Sequence, residues 1–158
     1  LRKPNRGSVL KRYLALFKAL NAARVKYLVI GGLAAIAYGI PRSTKDADIV
    51  VLPNPKTYAK LLEVFRALRM GTAYLTDPEK MMQSKVTIFD DFIRVDVLSE
   101  APGLDFQAFW KNRQAFKVEG VNINFVSLDD LIQLKRAAGR QRDLEDVALL
   151  EKIRLGKI

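Results

Sequence analysis

The chain has 158 residues, 49% of them hydrophobic, which suits one compact domain with a proper core. It contains neither cysteine nor histidine, so disulfides, thiolate metal sites, imidazole triads and imidazole proton shuttles are excluded. What remains is carboxylates, Lys, Arg, Tyr, hydroxyls and metals that prefer oxygen, such as Mg²⁺ or Mn²⁺, while a formal charge of +10 favours nucleotide or nucleic acid as partner unless it serves solubility alone.

The first seven residues read as disordered or foreign to the domain, and residues 8–158 as a single domain. The opening LRKPNRGSVL has no apolar core behind its basic residues, so no export signal is expected. The apolar stretches are too interrupted to span a bilayer, and a soluble, cytoplasmic protein without a membrane partner is expected. From Ser8 to Ala23 the spacing of Leu10, Leu14, Phe17 and Leu20 predicts one amphipathic helix capped by Ser8. VKYLVIGG then predicts a short strand with a glycine turn, and LAAIAYGI a helix stopped by Pro41.

DADIVVLP predicts a second strand, and NPKTYAKLLEVFRALRM a crossover helix with Pro55 in its first turn and Tyr58, Leu61, Leu62, Phe65 and Leu68 facing inward. KVTIFDDFIRVDVLS predicts two strands joined at Asp90-Asp91. A short helix in GLDFQAFWKNR follows, then a hairpin turning near Glu119-Gly120, then one or two helices from a Ser127 cap. Strands alternate with helices early and pair locally later, which predicts an α/β or α+β fold, a mixed sheet with helices packed on it.

Strand side chains alternate, so Asp46 and Asp48 point to one side and Ala47 and Ile49 to the other. Two carboxylates this close repel unless a cation sits between them. In FIRVDVL, Ile93, Val95 and Val97 share one face while Asp96 interrupts the other. If the two strands are neighbours, three carboxylates converge, enough for a two-metal phosphoryl-transfer site. The plainer alternative pairs Asp96 with Arg94 or Arg42 in a salt bridge. Gly31 and Gly32 stand between strand and helix, where backbone N–H groups can receive phosphate, or where the chain simply turns tightly. Arg42, Thr44 and Lys45 precede the acidic pair, and Arg42 in particular suits phosphate contact. Lys135, Arg140 and Arg142 read equally well as an exposed basic helix face.

The run GGLAAIAYGIPRSTKDADIVV resembles the signature of the DNA polymerase β-like nucleotidyltransferase superfamily, in which a glycine turn opens a helix and an Asp-X-Asp pair follows on the next strand. Its PRSTKDAD portion looks most like small prokaryotic nucleotidyltransferases related to the AbiEii-type toxins of toxin–antitoxin systems. RVDVL matches the third carboxylate of the superfamily, and LKRAAGRQRDLEDVALL is similar to the Lys-containing and Arg-X-X-Asp helical motifs of the AbiEii-like group. The resemblance covers about Val25 to Leu150. It implies that Gly31 and Gly32 hold a triphosphate and that Asp46, Asp48 and Asp96 bind metal, Asp96 also helping to deprotonate the acceptor. It further implies that Lys135 contacts phosphate and that Asp143 is the acidic residue of the last motif.

The expected activity is therefore Mg²⁺-dependent transfer of a nucleoside monophosphate from an NTP to an acceptor hydroxyl, with release of pyrophosphate. The charge and the toxin resemblance favour RNA as acceptor, with the tRNA 3′ end as one form of it. A hydroxyl on a cognate toxin or antitoxin protein is the rival. A binding module without catalysis is the competing class, but a pure polyanion binder gains nothing from clustered carboxylates.

Overall fold

A computed structural model describes residues 6–158 of the chain; residues 1–5 of the segment expected to be disordered lie outside the described residues, and Arg6 and Gly7 open the first helix. The stretch predicted as one helix is two, α1 (Arg6–Lys11) and α2 (Leu14–Ala22), with Ser8 inside α1 rather than capping it. The break falls at Tyr13, whose N–H donates to the Leu10 carbonyl at 3.0 Å, and it lets both Leu10 and Tyr13 reach the core.

Strand β1 (Leu28–Ile30) runs straight into α3 (Gly31–Tyr38), so the paired glycines form the helix's own first turn. Gly39, at φ 116°, ends α3 two residues ahead of Pro41. Strand β2 (Asp46–Val50) leads to α4 (Pro55–Ala67), whose Asn54 cap accepts from the N–H groups of Lys56 and Thr57. A 3-10 turn at Gly71–Tyr74 and helix α5 (Pro78–Met82) follow, elements too short for periodicity to reveal.

Strands β3 (Val86–Asp90) and β4 (Arg94–Leu98) form the expected hairpin, but Asp90 stays in β3 opposite Arg94 and the join is Asp91–Ile93. The Asp91 carboxylate is drawn away to Thr72, accepting from its N–H and its hydroxyl. Helix α6 (Phe106–Asn112), strands β5 (Gln114–Val118) and β6 (Val121–Phe125), and helices α7 (Leu128–Ala138) and α8 (Gln141–Arg154) complete the chain. The β5–β6 turn is where it was expected, with Glu119 and Gly120 both at positive φ. Ser127 caps α7 by accepting from the Asp130 N–H.

The six strands make one mixed sheet in the order β3-β4-β2-β1-β6-β5, as the sequence predicts in kind. Strand β1 is antiparallel to β2 and parallel to β6, and β2 is parallel to β4, so α4 crosses over to a hairpin whose second strand returns beside β2. Residues opposite one another across strands share a face. One such row is Phe89, Val95 and Ala47, all buried, with Phe65 of α4 packed edge-on against Phe89 at 4.7 Å between ring centroids. The neighbouring row, on the other face, is Ile88, Asp96, Asp48 and Ile30. Two carboxylates therefore stand side by side in the middle of the sheet, and register alone puts them there.

The Phe65–Phe89 contact anchors the crossover helix to the edge hairpin. Replacing Phe65 with Ala should lower stability by about 3–5 kcal/mol, read as a drop in the urea midpoint at unchanged slope.

Candidate active site

Asp46 and Asp48 extend from the first and third positions of β2, and Asp96 from the third position of β4 directly beside Asp48. One carboxylate oxygen from each lies within 4.8 Å of the other two. Burial, and then the charges of Asp46 and Asp96, push the Asp48 carboxyl up to about 7 against the opposing pull of Arg94 and Lys135. Arg94 grips Asp96 with two bonds, at 3.0 and 3.3 Å, and stands 3.9 Å from Asp46. The plain salt bridge to Arg94 thus coexists with the three-carboxylate cluster, whereas Arg42 pairs elsewhere. Thr44 donates its hydroxyl to Asp46, 3.1 Å from Oδ1. The donor set is all oxygen and all anionic, which fits a hard divalent cation.

The first turn of α3 is packed against this cluster. Gly31 has a φ of 68°, and a Cβ there would overlap the Asp48 carboxylate. A Cβ on Gly32 would stand 3.0 Å from the Thr44 hydroxyl and 3.3 Å from the Arg42 guanidinium. The α3 N-terminus has no side-chain cap, so its first N–H groups are open to a ligand.

A cavity of about 680 Å³ spreads from these glycines and from Asp46 and Asp48 to α7 and α8. Its basic side carries Arg42, Lys135, Arg140 and Arg142, and its apolar side includes Leu98, Pro102, Leu131 and Leu134. Lys135, which also read as an exposed residue, is only 5% exposed and donates to Asp146 at 2.9 Å. Arg42 donates to the same carboxylate at 2.5 Å, and Arg140 to Asp143 at 2.7 Å. Burial raises the Asp143 carboxyl, but the bond from Arg140 and the charges of Arg140 and Lys135 outweigh it and hold it below its ordinary value. Arg142 has no anionic partner among the described residues.

The structure thus brings together Gly31, Gly32, Arg42, Thr44, Asp46, Asp48, Lys135 and Asp143 around one cavity, with Asp96 beside Asp48. Lys45 is exposed and does not line it. Asp146 was missed by the sequence reading, although it sits with Asp143, Val147 and Leu150 on the buried side of α8, where an acid is out of place. Tyr13 was missed too: its hydroxyl is buried without a hydrogen-bond partner among the described residues. Burial first, with the charges of Asp46 and Asp48 adding to it, raises its pKa against the lowering effect of Arg12.

Residues 10–155 match the model of a family described as nucleotidyltransferase of unknown function, DUF6036. The chain belongs to that family of nucleotidyltransferases. Solved structures with the same fold include a lincosamide antibiotic adenylyltransferase, LnuA, with lincomycin bound, at 13% identity and a TM-score of 0.59 over 90% of this chain and 96% of that one. An antigenic nucleotidyltransferase-like protein from Paracoccidioides brasiliensis aligns at 15% identity and a TM-score of 0.57, over 90% of this chain and 75% of its own. A Thermotoga maritima protein described as a candidate nucleotidyltransferase gives 16% and 0.56, over 90% and 92%. No curated protein matches the chain in sequence. The superfamily resemblance read from GGLAAIAYGI, DADIVV and RVDVL is thereby supported at the level of family and fold. Among the described residues no helix is long and apolar enough to cross a membrane.

Two outcomes follow from this geometry. Gly31→Ala should destabilise the protein by about 1–3 kcal/mol, because it combines a left-handed backbone with a carboxylate in the way, and thermal unfolding measures it. Asp48 has a folded pKa of about 7 against an ordinary 3.8, so the native state holds the extra proton between those values. Stability in EDTA should therefore fall as pH rises from about 4 to about 7 and then level off, and Asp48→Asn should remove that component of the slope.

Proposed function

We propose that residues 8–158 form one metal-dependent nucleotidyltransferase domain that moves a nucleoside monophosphate from an NTP to an acceptor hydroxyl and releases pyrophosphate. The observation that carries this reading is the convergence of Asp46, Asp48 and Asp96 beside the uncapped, glycine-lined start of α3. A polyanion-binding module would have no use for three clustered acids beside a basic cavity.

Asp46, Asp48 and Asp96 would hold Mg²⁺ or Mn²⁺, which when bound offsets their repulsion and withdraws charge from the reacting phosphate. The N–H groups of Gly31 and Gly32 bind phosphate oxygens, where the positive end of α3 favours negative charge. Arg42, Lys135, Arg140 and Arg142 neutralise the departing pyrophosphate from the α7–α8 side of the cavity. Lys45, outside the cavity, adds only to the surrounding positive field. Asp143 and Asp146 act through these cations, holding Lys135 and Arg42 in place. Asp96 takes the proton of the acceptor hydroxyl.

The AbiEii-type resemblance supports a place in a toxin–antitoxin system in the cytoplasm, with a cognate toxin or antitoxin as partner. The +10 charge supports an RNA acceptor, the tRNA 3′ end being the specific form suggested. Incubation with Mg²⁺ and each α-³²P-labelled NTP, alone and with total RNA, should yield labelled product and free pyrophosphate. Asp48→Asn should cut that turnover at least a thousandfold, as should EDTA; turnover unaffected by either would remove these carboxylates from the chemistry.

A further inference from the structure

The Arg94 guanidinium lies along the Asp96 carboxylate as a fork, Nε donating to Oδ1 at 3.0 Å and a terminal nitrogen to Oδ2 at 3.3 Å, so both oxygens are engaged. The same guanidinium stands 3.9 Å from Asp46 Oδ2. It reaches both acids because Arg94 shares a face with Asp96 two residues along β4 and is the register partner of Asp46 in β2. On its other side it is the register partner of Asp90 in β3. Among the residues of β2, β3 and β4 on this face, Asp46, Asp48, Asp90 and Asp96 are acidic and Arg94 alone is basic.

The three carboxylates therefore already share a cation that belongs to the chain. Arg94 and an incoming ion compete for Asp96 in two ways. The fork holds two of the roughly four lone-pair sites that a carboxylate offers. An ion among oxygens that lie within 4.8 Å of one another also stands close to the guanidinium, and like charges at short range repel. Arg94 has somewhere to go: its side chain is 38% exposed, and Asp90 beside it is a second, exposed anion. A bare divalent ion brings its whole positive charge against Arg94. An ion already chelated by a triphosphate arrives as a net anion, which the guanidinium attracts.

We propose that Arg94 is the resident counter-cation of the carboxylate cluster, a positioning residue that keeps Asp96 from bare divalent ions and yields it to an ion delivered on a triphosphate. The inference rests on the metal-dependent transfer reading given above. It makes both duties assigned to Asp96, holding the ion and taking the acceptor's proton, conditional on the presence of nucleotide.

The test measures binding to the full chain by calorimetry, with no acceptor and no turnover, using Mn²⁺ alone and Mn²⁺ chelated by inorganic tripolyphosphate. Wild type should prefer the chelated form. Arg94→Met should tighten binding of Mn²⁺ alone about tenfold or more and that of the chelated ion by no more than about threefold. Arg94→Lys, which keeps the charge and loses the fork, should fall between them for Mn²⁺ alone, and it decides the matter if Arg94→Met does not fold. Melting temperature separates this role from a merely structural one. Arg94→Met should melt below wild type in EDTA, where the acids have lost their counter-cation, and regain the difference in Mn²⁺. A deficit that persists in Mn²⁺, a wild type that prefers the bare ion, unchanged or weaker binding of Mn²⁺ alone, or equal tightening of both forms overturns the proposal. Where Asp48→Asn still abolishes Mn²⁺ binding, those results overturn it alone and the metal-dependent reading stands. If wild type binds neither form, the reading of the carboxylates as a metal site falls, and this proposal with it.

Discussion

Everything at this site is organised by the mutual repulsion of three carboxylates that the sheet forces together. Asp48 and Asp96 are register partners in parallel strands, and Asp46 lies on the same face. Their closeness is a property of backbone pairing, so no side-chain rotation can relieve it fully. The burial and neighbouring charges that raise Asp48 towards neutrality show how costly three charged carboxylates are here without a compensating cation. Arg94, opposite Asp46 and on the same face as Asp96, offsets part of that repulsion.

The basic wall across the cavity is built on the complementary pattern. Arg42, Lys135 and Arg140 are tied together through two acids, Asp146 and Asp143, that reach in from α8. Three cations share two anions, so the group keeps a surplus of positive charge. Placing the anions behind the cations preorganises them at little cost in side-chain entropy on ligand binding. The same network links the loop before β2 to the C-terminal helices, which joins early and late parts of the chain at the site.

Much of this could be read from the sequence because it depends on short-period signals. Alternation in DADIVV and RVDVL assigned each aspartate to a face, and the interruption of an apolar strand by Asp96 marked it as needing a reason. Adjacency of the two strands was a conjecture that the topology supports. What the sequence concealed depends on tertiary pairing. Lys135 resembles a solvated residue until α8 supplies its partner, and Asp146 gains a role only once Arg42 is folded against it. The split at Tyr13 escaped because the apolar spacing on either side fits a continuous helix. The Asp90-Asp91 turn was displaced by a contact with Thr72 that no local rule contains.

Gly31 and Asp48 occupy one volume between them: the missing side chain of the first is the space taken by the carboxylate of the second. The glycine turn that opens α3 and the acidic strand β2 are therefore a single steric unit. A lineage that lost the acid at position 48 would be released from the steric demand at position 31, though the left-handed backbone would still favour glycine there. In a set of related sequences the two positions should therefore drift together even where overall identity has decayed.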